Sequence, residues 1–132
     1  MIRKSKFDPG IMCYEAGLDA PQSLRDTLDE RGPGFALFGE DVATPMIGID
    51  AAAGLSRAQM IAVEAHEVGH ILTGSEDEET AELFAIALLR ASGYHTSAQL
   101  LLDRAIQVLI GKTVPTLQTQ FCRNRYGSAK LK

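Results

Sequence analysis

The chain begins with short apolar runs broken by turn residues and continues with longer stretches of helical apolar spacing. Gly10 to Gly17 reads as a short strand. Asp19 is placed to cap a helix with Pro21 at its first position, running through Leu24 and Leu28 to Arg31, where Gly32-Pro33-Gly34 stops it. Phe35 to Phe38 and Met46 to Ile49 read as two further strands. The turn material between them, Gly39-Glu40-Asp41 and Thr44-Pro45, predicts a hairpin.

Ser56 is a candidate N-cap for a helix of about Arg57 to Leu72. Ile61, Ala65, Val68 and Leu72 form its apolar stripe, while Gln59, Val63, His66, Glu67 and His70 line a different one. Gly74 ends this helix. Ser75, with Glu78 three residues on, has capping-box spacing for the next, which runs through Leu83, Phe84, Ile86, Ala87 and Leu88 to Gly93. Thr96 starts a third helix, with Leu100, Leu101, Ala105, Val108 and Leu109 apolar, ending at Gly111; Pro115 or Thr116 opens a last one to Arg125. Strands before helices predict an α+β fold, a small antiparallel sheet packed against a helical layer, in one domain spanning residues 1–132.

Composition narrows this picture. Aromatic content is 6% with no Trp, so Ala, Leu, Ile and Val must fill the core. The basic start Met1 to Lys6 is followed by no apolar run, and no stretch is long enough to span a bilayer. The expectation is a cytoplasmic chain, without membrane contact, whose Cys13 and Cys122 are reduced thiols. Neither belongs to a C-x-x-C pair, which argues against a thiolate metal site. The net charge of −4 hides an asymmetry: all 17 acids lie between Asp8 and Asp103. Arg3, Lys4 and Lys6 precede them, and Arg104, Lys112, Arg123, Arg125, Lys130 and Lys132 follow. Such basic termini, including a C-terminal tail from about residue 112, suit an acidic partner or nucleic acid, or else a solvated tail.

The chemistry concentrates at His66-Glu67-Val68-Gly69-His70. Two histidines at i and i+4 project from one helical face and can reach one metal ion, and Glu67 can reach a water bound to it. An acidic run follows, Glu76 to Glu79 and then Glu82. With Gly74 as the turn of an antiparallel helix pair, His70 and Glu78 lie equally far from it, as do His66 and Glu82. That pairing makes Glu78 the third ligand and Glu82 a carboxylate that orients the His66 ring. The competing role for Glu78 is completion of the Ser75 capping box. Tyr94 and His95, in the loop after the second helix, are candidate donors to a developing oxyanion, or else ordinary loop residues.

Three stretches together carry a family resemblance: Met46-Ile47-Gly48-Ile49-Asp50, Leu55-Ser56-Arg57-Ala58-Gln59, and Ala65 to Leu72 with its A-H-E-V-G-H core. They resemble the ImmA/IrrE family of small gluzincin-type metallopeptidases. The resemblance covers about residues 34 to 90. It implies a strand leading into the motif helix, then a helix of the pattern E-x-E-A-N-x-F-A. This chain matches that pattern at Glu78, Ala81, Phe84 and Ala85 and departs from it at Thr80 and Glu82. The resemblance implies that Glu78 is the third zinc ligand. It also implies a protein substrate, often a transcriptional repressor.

Two functions are therefore expected. One is a zinc endopeptidase with a narrow protein or peptide substrate, with His66, His70 and Glu78 on zinc and Glu67 as base. The substrate would add as a strand beside Phe35 to Phe38 or Met46 to Ile49. The alternative is a non-enzymatic zinc-binding interaction module on the same fold, an antirepressor or assembly component.

Overall fold

The computed structural model describes residues 1–113. The predicted helix from Pro115 or Thr116, the basic tail beyond Thr113 and Cys122 lie outside the described residues. The elements are β1 (Ile2–Lys4), β2 (Met12–Ala16), α1 (Gln22–Arg31), β3 (Gly34–Leu37), β4 (Met46–Asp50), α2 (Arg57–Thr73), α3 (Glu78–Ala91) and α4 (His95–Thr113). This is the α+β fold that the sequence predicts.

The four strands form one sheet in the order β1-β2-β4-β3. It is mixed, where an antiparallel sheet was expected. β1 pairs antiparallel with β2, and β3 with β4 as the predicted hairpin, but β2 and β4 run parallel. Parallel neighbours need a crossover. Here α1 and β3 form it, returning the chain to β4 beside β2. β4 is therefore an interior strand, and β3 is an edge among the described residues.

β1 falls in the segment read as a basic terminus, and its Arg3 is turned inward. Arg3 Nη2 and Nη1 donate to the two oxygens of Glu64 at 2.6 and 3.2 Å, and Nε donates to Glu15 at 2.6 Å. Glu64 also accepts from Ser5 Oγ and from the Lys6 backbone N–H. Burial works against an ionised Glu64, yet these donors outweigh it and hold its pKa below the usual carboxylate value. Tertiary pairing thus removes Arg3 from the surface charge. Across the sheet, Arg25 of α1 makes a bidentate contact with Asp50 at the end of β4, at 2.7 and 3.2 Å.

Alternation along the strands divides the core. Cys13, Ile47 and Ile49 face α2, which packs in turn against α3 and α4. On the other sheet face, Ala16 and Phe35 meet Leu28 of α1. α1 starts one residue later than predicted: Pro21 is its N-cap and no side chain caps it, so Asp19 does not serve that role.

α2 starts at Ser56, whose side chain accepts from the Gln59 N–H while Gln59 accepts from the Ser56 N–H. It ends at Gly74, whose left-handed φ of 65° suits glycine. Between these caps, every residue from Ile61 to His70 is buried. Leu72, expected on the apolar stripe, lies two residues beyond this buried stretch and is 42% exposed. α2 is thus enclosed by the sheet and by the α3–α4 pair, which a single apolar stripe does not require.

Gly69 sets the distance between α2 and α3. A Cβ there would lie 2.6 Å from the Ala81 carbonyl oxygen, a backbone atom. Gly69→Ala must push the helices apart, and the expected cost is about 2 kcal/mol of stability. Urea unfolding checks this; a midpoint equal to that of the wild type would rule out the tight crossing.

Candidate metal centre

The site is assembled where α2 and α3 meet at Gly74. The α3 N-cap is Asp77, which accepts from the Thr80 backbone N–H at 2.8 Å. This replaces the predicted Ser75–Glu78 box. Ser75 Oγ instead accepts from the Asp77 N–H. Glu78 becomes the first residue of α3, and its carboxylate faces the histidines rather than its own helix end.

Both imidazoles are held through Nδ1. His70 Nδ1 lies 2.8 Å from the Ser75 carbonyl oxygen, which can only accept, so the ring is protonated at Nδ1. His66 Nδ1 lies 2.9 Å from Glu82 Oε1. The other Glu82 oxygen accepts from Arg104 of α4. Glu82 therefore orients the His66 ring, as hairpin pairing predicts. Arg104, counted among the basic terminal residues, is 10% exposed and completes a chain of contacts across three helices. It sits one turn after Leu101 on the inward face of α4, a charge at an apolar position, and that was the signal available for it.

The two Nε2 atoms converge on Glu78. His66 Nε2 lies 3.3 Å from Oε2 and His70 Nε2 lies 2.9 Å from Oε1. With both rings protonated at Nδ1, these are lone-pair atoms facing a carboxylate, and the arrangement demands a proton or a cation between them. Ligand atoms of His66, His70 and Glu78 all lie within 4.8 Å of one another, a group that can hold a metal ion. Two imidazoles and one carboxylate suit zinc with its fourth position open. Each histidine also has the Nδ1 acceptor typical of a metal-bound ring.

The same electrostatics govern the metal-free protein. Burial disfavours a charged His66, but hydrogen bonds to Glu78 and Glu82 outweigh it and push its pKa up to about 9. The bond to Glu78 also raises His70, against burial. Glu78 is pulled down by His66 and then by His70. Glu67 behaves differently. It is 6% exposed, and burial raises its pKa, with the two histidines opposing.

Glu67 lies in a cleft of about 150 Å³ with His66, His70 and Glu78. The opposite wall is Gly34, Phe35 and Ala36 of β3, with Arg31 at the end of α1 and Glu76 in the turn before α3. Gly34, read from sequence as part of a helix stop, has a second role. A Cβ there would lie 2.5 Å from Val63 Cγ1 and 3.2 Å from Glu67 Oε2, so only glycine leaves the carboxylate its space. Tyr94 and His95 are not part of the cleft. Tyr94 packs on the core with its ring edge-to-face against Phe7, centroids 5.7 Å apart, and His95 is an exposed residue opening α4. The candidate oxyanion donors are thus placed elsewhere by the α3–α4 turn.

Two outcomes are expected. Purified wild type carries about one metal ion per chain, His66→Ala almost none and Glu78→Ala a strongly reduced amount, measured by metal analysis; unchanged metal in Glu78→Ala would reject it as a ligand. The second outcome concerns pH. In the chelated protein, His66 has a folded pKa above its ordinary 6.5, so its contribution is complete below that pH and lost as pH rises to about 9. Glu78 acts in the opposite sense, losing its contribution as pH falls below its ordinary 4.5. Calorimetry should find the chelated protein most stable between these two ordinary values. Its Tm should decline toward pH 9, while the metal-loaded protein holds its Tm there. A flat Tm for the chelated protein from pH 6.5 to 9 would contradict the imidazole–carboxylate pairing.

No family model, no curated protein and no solved structure matches this chain.

Proposed function

We propose that this chain is a zinc-dependent endopeptidase with a narrow protein substrate, acting in the cytoplasm and allied to the ImmA/IrrE metallopeptidases that its motifs resemble. The observation that carries this reading is Glu67. Its buried carboxylate shares the cleft with His66, His70 and Glu78 but is not one of the converging ligand group. A purely structural metal site has no use for such a group, and burying it costs stability. When bound, zinc supplies Lewis acidity toward a water and a peptide carbonyl. Glu67 takes the proton of the attacking water and returns it to the departing amine. Its raised pKa brings it closer to the operating pH, where a group that must both accept and donate works best.

The edge strand supports a peptide substrate. The Asp50 N–H donates to the Pro33 carbonyl, which marks Pro33 and Asp50 as a bonded pair of the antiparallel ladder. Phe35 and Leu37 therefore bond to β4, and Gly34 and Ala36 turn their N–H and C=O outward along the cleft. An extended peptide adding to β3 pairs with those groups and lies across the Glu67 carboxylate. The interior position of β4 removes Met46 to Ile49 as an alternative docking edge.

Glu67→Gln keeps size and shape while removing the base. Zinc content and fold are expected to survive, and hydrolysis of a cleavable partner protein to fall by at least about a hundredfold. The assay follows candidate partner proteins by mass spectrometry. A zinc-loaded wild type that binds such a partner and never cuts it would replace the peptidase by the non-enzymatic interaction module.

A further inference from the structure

Among the described residues, three arginines near the core are each committed to a buried carboxylate: Arg3 to Glu64, Arg25 to Asp50 and Arg104 to Glu82. Arg31 is different. It is exposed at the C-terminal end of α1, makes no ion pair among the described residues, and lines the cleft. Among the described residues it is the one arginine or lysine lining the cleft. Only Gly32 and Pro33 separate it from Gly34, where β3 begins beside Glu67.

This placement gives Arg31 a defined relation to a peptide on the edge. A strand adding antiparallel to β3 runs from the Leu37 end toward the Gly34 end. Residues on the C-terminal side of the bond beside Glu67 then approach Arg31. An N-terminal ammonium brought there by parallel addition would be repelled. A guanidinium offers a planar fork of donors that matches a carboxylate. Its exposure at the mouth of the cleft suits a substrate group better than the reacting oxygen, which must lie deeper, between Glu67 and the histidines.

We propose that Arg31 is the specificity-determining residue of this cleft and receives a substrate carboxylate on the C-terminal side of the scissile bond. That carboxylate is either an acidic side chain, in keeping with an endopeptidase, or the chain's own C-terminus, which would confine cleavage to bonds near a chain end. The inference rests on the metallopeptidase reading of the site and extends it to a substrate class.

The test uses the zinc-loaded full chain and three succinyl hydroxamates, whose hydroxamate binds zinc whether or not peptides are cut. One carries asparagine amide and has no carboxylate. The second carries aspartate amide, with a side-chain carboxylate only. The third carries asparagine with a free C-terminal carboxylate. Calorimetric Kd values are expected to favour at least one carboxylate probe over the neutral one by about fivefold or more, the scale of a charge-assisted contact at a half-solvated site. Whichever probe gains identifies the source. Arg31→Gln should abolish this discrimination, Arg31→Lys should keep part of it, and Arg31→Glu should reverse it. Equal binding of all three probes by wild type, or discrimination that survives in Arg31→Gln, overturns the proposal while leaving the metal centre standing. Failure of every hydroxamate to bind overturns the metal-centre reading and this inference with it. With peptide substrates the effect should fall on KM for acidic sequences. A uniform drop in kcat for all sequences in Arg31→Gln would instead make Arg31 a donor to the reacting oxygen and defeat the specificity role.

Discussion

Four ionisable side chains, Glu64, His66, Glu67 and His70, are carried through the middle of the fold on one helix that is buried on all sides. Leaving such groups without partners is costly, so each must find one that its own helix cannot supply. The surrounding elements are arranged to meet that demand. β1 brings Arg3 to Glu64. α3 brings Glu82 to His66, and α4 brings Arg104 to Glu82. The turn after α2 brings the Ser75 carbonyl to His70. Glu67 alone is left to the cleft, and that exception is the basis of the functional reading.

Packing and polarity are satisfied together at two glycines. At Gly69 the missing side chain lets the α3 backbone approach closely enough for Glu82 to reach His66 and for Glu78 to reach both rings. At Gly34 it lets the edge strand pass over Val63 and Glu67. A larger residue at either position would separate groups whose hydrogen bonds tolerate only a few tenths of an ångström. The centre is unevenly constrained as a result. The histidines are buried and locked through Nδ1, whereas the Glu78 side chain is 60% exposed at the first turn of α3. Two fixed imidazoles and one carboxylate at the rim thus line the same cleft.

Much of this was legible along the chain because it depends on local rules. The Ser56 cap, the Gly74 stop and the i, i+4 histidine pair are set by hydrogen bonds and spacing within a few residues. The helical hairpin follows from them, and with it the places of Glu78 and Glu82, since two antiparallel helices joined at a known turn have a fixed register. The hairpin of β3 and β4 was readable for the same reason.

What tertiary structure decided involves partners distant in sequence. Nothing near Ile2 to Lys4 announces a strand, because β1 exists by pairing with β2 and by giving Arg3 to Glu64, 61 residues away. The parallel contact of β2 with β4 depends on how α1 and β3 lead the chain back, and local propensity does not encode direction. Sequence spacing favours Ser75 as the cap of α3, and Asp77 holds that place instead. Asp77 took the role in a structure where Glu78 faces two imidazoles, a competition between a helix end and a site that only three dimensions can resolve. Local hydrogen bonding and periodicity determined the elements and the ligand-bearing motif. The requirement that Glu64, His66 and His70 be answered from other parts of the chain determined how those elements came together.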